Sequence, residues 1–419
     1  MSYCQTEQKS RLEYNQLLEE FILGCKNSQK IGMEYERIPI SKTSGDVVPY
    51  YGEYGICELL REFAKEDNWD YILDNKEIIG LKKIHNTITL EPGCQFELSI
   101  EPQILIKDLK SKIEEIDSAI FPIMEKFGVK LINKGVSPKT TYRNIKLIPK
   151  RRYAIMANYL WGILSDVMMR ETAGIQVGID YSSETDAIHK FNIANLMSPF
   201  ITAMYANSRY RGGVDTGYKS FRALAWLNTD NERCGFATSF QDDIGFKNYV
   251  NTLLDTPMIF INRENMTVSL NGRMTFKQFM EKGYEGFYAT LDDWKLHSNL
   301  YFPEVRLRNF IEIRNHDCVG GGLEYSIPAL YKGILYNSNA MKEVESILGK
   351  YYYRELNELR YSVARYAIDA KIRNHKIYDI CKELLEIAYY SLKIQSNNEE
   401  AFLEPIIELI NKHKVPADL

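Results

Sequence analysis

The feature that most constrains this chain is a recurring spacing of acidic residues inside strand-like runs. In Lys30–Ile40, KIGMEYERIPI, Glu34 and Glu36 stand two apart. Extended backbone sends alternate side chains to opposite faces, so both carboxylates point the same way. Like charges on one side of a sheet repel unless a cation sits between them. In TITLEPGCQFELS, Glu91 and Glu97 lie six apart across Pro92-Gly93, and Gln95 and Glu97 are again two apart, so alternation puts these three on one face. NFIEIR repeats the device: Glu312 and Arg314 project together while Ile311 and Ile313 take the other side. An isolated pair of this kind ordinarily marks the solvated side of an antiparallel sheet. Recurrence in three separated strands favours a shared site. Magnesium takes oxygen ligands from a few carboxylates together with substrate phosphates, so inward glutamates on several strands predict an ATP–Mg²⁺ site.

The intervening sequence predicts a mixed α+β order, with no regular βα repeat. Helical periodicity is expected over 6–30, 55–66, 105–128, 151–170 and 183–207, the last with Ser183 as N-cap. Alternating runs predict strands over 30–40, 77–83, 87–99, 174–181 and 309–314. From about residue 328 the pattern is almost wholly helical, which suggests a catalytic unit over 1–335 and a helical region, 336–419, packed on it. Of 419 residues, 45% are hydrophobic and 26% charged, the balance of a globular chain with a substantial core. A net charge of −4 gives no general attraction to nucleic acid. Seven cysteines are scattered without CxxC spacing, which fits a reducing compartment. No run of about 18 apolar residues is present to span a membrane, and the N-terminus is polar, so a cytoplasmic protein with no membrane partner is expected.

Five segments carry a resemblance: IGMEYER at 31–37, TLEPGCQFELS at 89–99, PKRRYAIM at 149–156, IQVGIDYSSETDAIHKF at 175–191 and FPEVRLRNFIEIRNHD at 302–317. Together, and in this order, they resemble the plant-type glutamate–cysteine ligase family, which includes bacterial members. The resemblance implies a glutamine synthetase-like catalytic domain, a curved antiparallel sheet forming a funnel surrounded by helices. It implies ATP-dependent activation of the glutamate γ-carboxyl as an acyl phosphate and attack by the amine of cysteine. The family's metal positions fall on Glu34, Glu36, Glu91, Glu97 and Glu312. The acidic and the basic residue of the family's late strand fall on Glu312 and Arg314, both catalytic candidates, with Arg314 also the cation for the nucleotide phosphates. Arg152 and Arg222 fall on arginines suited to substrate carboxylates or phosphate, where a planar bidentate donor works well. Gln95 and Gln176 join them as substrate-binding candidates.

The chain departs from the family pattern at Cys94, at Gly178 and at Asn315-His316-Asp317. A missing side chain at Gly178 is expected to enlarge or reshape a pocket. Cys94 is expected to pack as a small hydrophobe, and His316 to be orienting or solvated. These departures leave two other readings open, an ATP-dependent ligase with a different amine or acid and a catalytically silent relative. Retention of six charged residues at the motif positions argues against silence.

Overall fold

The computed structural model describes residues 12–237, 245–263 and 266–419. Cys4 and residues 6–11 of the expected opening helix lie outside these; the described part of that helix is Tyr14–Leu23. The strands that build the site are β1 (Ile31–Ser41), β2 (Asp70–Asp74), β3 (Glu77–Lys83), β4 (Asn86–Leu90), β5 (Phe96–Gln103), β6 (Val129–Ile132), β7 (Gly174–Ile179), β8 (Val305–Leu307) and β9 (Ile311–Asp317). They form one nine-stranded sheet in the order β8-β9-β7-β1-β5-β4-β3-β2, with β6 pairing to the far end of β1. Every pairing in it is antiparallel. The α+β architecture expected from the sequence is present.

Alternation sorts the two faces of the sheet. Met33 and Tyr35 of β1, Leu98 of β5, Ile175 and Val177 of β7, and Ile311 and Ile313 of β9 are buried beneath helices. The helices Ile106–Lys126, Glu184–Met204 and Leu323–Leu335 pack against these strands. Glu34, Glu36 and Glu97 occupy the intervening positions and reach the opposite, polar face. Burial of the apolar set fixes the register, because a one-residue slip would drive these carboxylates into the core.

Two expected elements are divided. The run 87–99 becomes β4 and β5, separated by a turn in which Glu91 N–H donates to the Gln95 carbonyl (2.9 Å) and Cys94 N–H to that of Glu91 (2.9 Å). Gly93 lies so close to the backbone of Arg170 that an added Cβ would sit 2.2 Å from its carbonyl oxygen. The run 151–170 becomes two helices, Arg151–Tyr159 and Ser165–Glu171. The break occurs where Gly162 wedges under the backbone of Asn228 and Thr229, a distant segment that no local pattern reveals. Ser183 does cap its helix, its hydroxyl accepting from Asp186 N–H at 3.1 Å. The region after 335 is mainly helical but includes a short hairpin, Lys371–Ile372 with His375–Lys376.

A candidate active site divided by charge

The polar face of the sheet floors a cavity of about 300 Å³. All five glutamates singled out from the sequence line it, as do Arg152, Arg314, Gln95 and Gln176. Arg222 does not; it lines a smaller recess next door. Cross-strand register explains the convergence: Glu36 stands opposite Glu97, Glu34 opposite Gln176, and Glu97 opposite Thr89.

One half of the cavity is acidic. Glu36 and Glu97 face each other directly, an arrangement that destabilises a bare sheet. Burial, reinforced by Glu34, Glu91 and Glu36, holds the Glu97 carboxyl well above the usual range. Burial and then Glu312 push Glu34 up to about 7, with Arg314, Arg306 and Arg308 pulling the other way. Glu36 is raised by burial and by Glu91, although it accepts from Gly174 N–H at 2.5 Å and from Gln176 Nε2 at 3.1 Å. Glu97 accepts from the Thr89 hydroxyl at 2.6 Å, and Glu91 from the Tyr153 hydroxyl at 3.2 Å. No side-chain cation forms an ion pair with these four carboxylates among the salt bridges of the described residues.

The other half is basic. Glu312 was expected to ligate metal, but arginines engage both its oxygens. Arg306 grips it through Nε and Nη2 (2.6 and 3.0 Å), Arg314 donates at 3.1 Å and Arg308 at 3.4 Å. Burial pushes this carboxyl upward, yet Arg306, Arg314 and Arg308 outweigh it and hold it below the usual carboxylate range. Three guanidiniums around one carboxylate leave a net positive surface suited to phosphate oxygens. Gln176 bridges the halves, accepting from Arg314 Nη1 while donating to Glu36.

Buried donors also lack partners. Nε of Arg152 and Arg308, and Nε1 of Trp226, are buried without an acceptor, as is Nε of Arg222 in the recess. Unpaired buried donors cost free energy and are rare in folded proteins, so these point to an anionic ligand. A divalent cation fits the acidic half by the chemistry of its donors: four crowded carboxylates, three of them with raised pKa values. Among the described residues, however, no three carboxylate, histidine or cysteine side chains are arranged to hold a metal ion by themselves. Magnesium would have to complete its octahedron with phosphate oxygens and water, as it commonly does.

Other expectations resolve individually. The Gln95 amide is committed to backbone: Nε2 donates to the carbonyls of Met169 (3.1 Å) and Thr172 (2.8 Å), and Oε1 accepts from Gly93 N–H (2.7 Å). It fixes the wall and is not a free substrate donor. Gly178 does not enlarge the pocket, because the Phe310 ring occupies the space, 3.3 Å from where a Cβ would be. Cys94 is buried with its thiol pKa raised by desolvation, so it is no nucleophile. His316 is buried between the Ile175 carbonyl and the Tyr331 hydroxyl (both 2.9 Å), and burial lowers it to about 3. Sequence reasoning missed Arg306 and Arg308, although their alternate spacing in VRLR was the same signal that marked the glutamates. It also missed the Met156, Met168 and Met169 wall, for which no local signal exists.

Comparison with known proteins gives a consistent picture. The model of glutamate-cysteine ligase family 2 (GCS2) matches residues 30–418. The chloroplastic glutamate–cysteine ligase of Nicotiana tabacum is 33% identical over 406 residues, covering 94% of this chain and 76% of that protein. That of Medicago truncatula is 33% identical over 413 residues, covering 96% and 80%. Among solved structures, the Francisella tularensis glutamate–cysteine ligase in complex with AMP superposes with a TM-score of 0.59 at 12% identity, covering 94% of this chain and 84% of that one, a likeness of fold. The plant relatives are named as chloroplastic, which overturns the cytoplasmic location expected from the sequence. The polar N-terminus was no ground for that expectation, because plastid-targeting segments carry no apolar core either. Among the described residues no helix is long and apolar enough to cross a membrane.

Proposed function

The chain belongs to glutamate–cysteine ligase family 2 and forms γ-glutamylcysteine from glutamate and cysteine; we propose that it does so in the charge-divided cavity, with ATP and Mg²⁺. The observation that carries this assignment is the juxtaposition of unpaired carboxylates with arginines that exceed their one carboxylate partner. A metal–nucleotide complex is itself divided in this way, cationic at one end and anionic at the other.

A carboxylate is a poor electrophile because its oxygen leaves badly. Transfer of the γ-phosphoryl group of ATP to the glutamate γ-carboxylate yields γ-glutamyl phosphate and ADP. Cysteine's amine then attacks the acyl carbon, the C–O bond to phosphate breaks, and the amine gives up a proton as the amide forms. Glu34, Glu36, Glu91 and Glu97 are the residues that would hold Mg²⁺, which when bound offsets charge on the phosphate oxygens. Arg314 and Arg308 neutralise charge that develops on the transferring group. Arg306 acts through Glu312, which holds the arginine cluster in place without binding metal. Arg152, with its unpartnered Nε, is placed for a substrate carboxylate. The region from residue 336 serves as a buttress, and its Arg360 reaches the site's rear wall by pairing with Glu304 at 2.9 Å.

The test supplies glutamate, ATP and Mg²⁺ with hydroxylamine as a surrogate amine. The expected products are γ-glutamyl hydroxamate and ADP. Hydroxamate accompanied by AMP and pyrophosphate would refute the acyl-phosphate route.

A further inference from the structure

The buried Tyr153 ring packs against two cations: Lys150 Nζ lies 4.7 Å and the Arg152 guanidinium carbon 5.0 Å from its centroid, inside the roughly 6 Å over which a ring face attracts positive charge. Both also reach its hydroxyl, Lys150 Nζ and Arg152 Nη2 at 3.3 Å each. The same oxygen stands 3.2 Å from the Leu90 carbonyl and 3.2 Å from Glu91 Oε1. Lysine and arginine only donate, while a carbonyl and a carboxylate only accept, so the one proton of the phenol is directed to Leu90 and Glu91. Arg152, Tyr153 and Glu91 line the divided cavity. The helix Arg151–Tyr159 that begins at this cluster is itself held, since Asp74 on β2 accepts from Arg151 N–H at 2.9 Å.

We propose that Tyr153 is a positioning residue that acts through Glu91, presetting that carboxylate for Mg²⁺ and tying it to the Arg152 guanidinium. The inference rests on the reading that Glu34, Glu36, Glu91 and Glu97 hold Mg²⁺. Glu34, Glu36 and Glu97 stand in paired strands, where the pleat and the cross-strand neighbours set their direction. Glu91 stands in the turn between β4 and β5, and among the described residues no side chain but Tyr153 hydrogen-bonds to it. A glutamate free to rotate gives up rotamer freedom when it binds metal, and the hydroxyl has already removed part of that freedom on folding. Groups that orient a ligand in this way tune the affinity of the site without touching the ion.

Tyr153→Phe keeps the ring and both cations beside it while removing the hydroxyl. Titration of Mg²⁺ into the full chain with a nonhydrolysable ATP analogue should show affinity at least tenfold weaker than wild type, as when other groups that orient metal ligands are removed. Hydroxamate formation should show the same rise in half-saturating Mg²⁺, with kcat restored at saturating Mg²⁺. In a Glu91→Gln background Tyr153→Phe should cost no further Mg²⁺ affinity, because the two act through one contact. A further loss of the same size there, or an unchanged Mg²⁺ affinity in Tyr153→Phe alone, would overturn the positioning role while leaving the metal reading intact. Wild type that binds no Mg²⁺ alongside the nucleotide analogue would overturn the metal reading and the positioning role with it.

Discussion

The two halves of the cavity use the same residue type to opposite ends. On β1 and β5, Glu34, Glu36 and Glu97 are half-buried without an ion-pairing cation and sit above the usual carboxylate range. On β9, Glu312 is more deeply buried, 2% exposed, yet held below that range by three arginines. Burial is common to both, so neighbours decide the outcome. The acidic half keeps a charge deficit that a ligand must fill, while the basic half uses its one carboxylate as internal scaffolding. The same substitution in each half should therefore have opposite effects on the unliganded protein.

The largest effect is expected at Glu312. Glu312→Gln leaves the buried Arg306 and the half-buried Arg308 and Arg314 facing a neutral amide, and breaking a buried ion pair by removing one partner costs about 3–5 kcal/mol. Urea unfolding should show that loss alongside lost turnover; wild-type stability would mean that the arginine cluster does not depend on this carboxylate.

At Glu97 the sign reverses. Glu97→Gln relieves repulsion from Glu34, Glu91 and Glu36, so the metal-free protein should melt no lower than wild type while Mg²⁺ affinity weakens roughly tenfold or more, as when other groups that tune a metal site are removed. Scanning calorimetry checks the melting and titration calorimetry the affinity, and an unchanged Mg²⁺ affinity would remove Glu97 from the metal site.

The smallest effect concerns pH. Glu34 has a folded-state pKa of about 7, above the roughly 4.3 of an unfolded chain. Its contribution to stability is therefore fully present below the unfolded value and is lost as pH rises through the folded one. Without Mg²⁺ the melting temperature should decline between about pH 4.3 and 7 from this residue, and Glu34→Gln should flatten that decline. Saturating Mg²⁺ should flatten it too, with proton release on binding near neutral pH. Identical pH profiles in wild type and Glu34→Gln would exclude this carboxylate as the cause.

The acidic half was legible in the sequence because its signal is local: a period of two within a single strand places Glu34 with Glu36 whatever that strand pairs with. The basic half was legible only in part. Arg306 and Arg308 carry the same period, but that Glu312 binds them depends on the pairing of Arg306 with Glu312 across β8 and β9, a relation between strands. Gly178 misled for the same reason. The ring that fills its space comes from Phe310, on another segment of the chain. The helix break at 160–164 is set by backbone near residue 229, again beyond the reach of any local pattern.

Gln176 stands where the halves meet, and its amide accepts from a guanidinium with one end and donates to a carboxylate with the other. A glutamate there could not donate, and a lysine could not accept. Its orientation is thus dictated by its surroundings, with oxygen toward Arg314 and nitrogen toward Glu36. Because it cannot titrate, it acts as an insulator: fixed, uncharged spacing that keeps opposite charges only a few ångströms apart from collapsing into a salt bridge before substrate arrives.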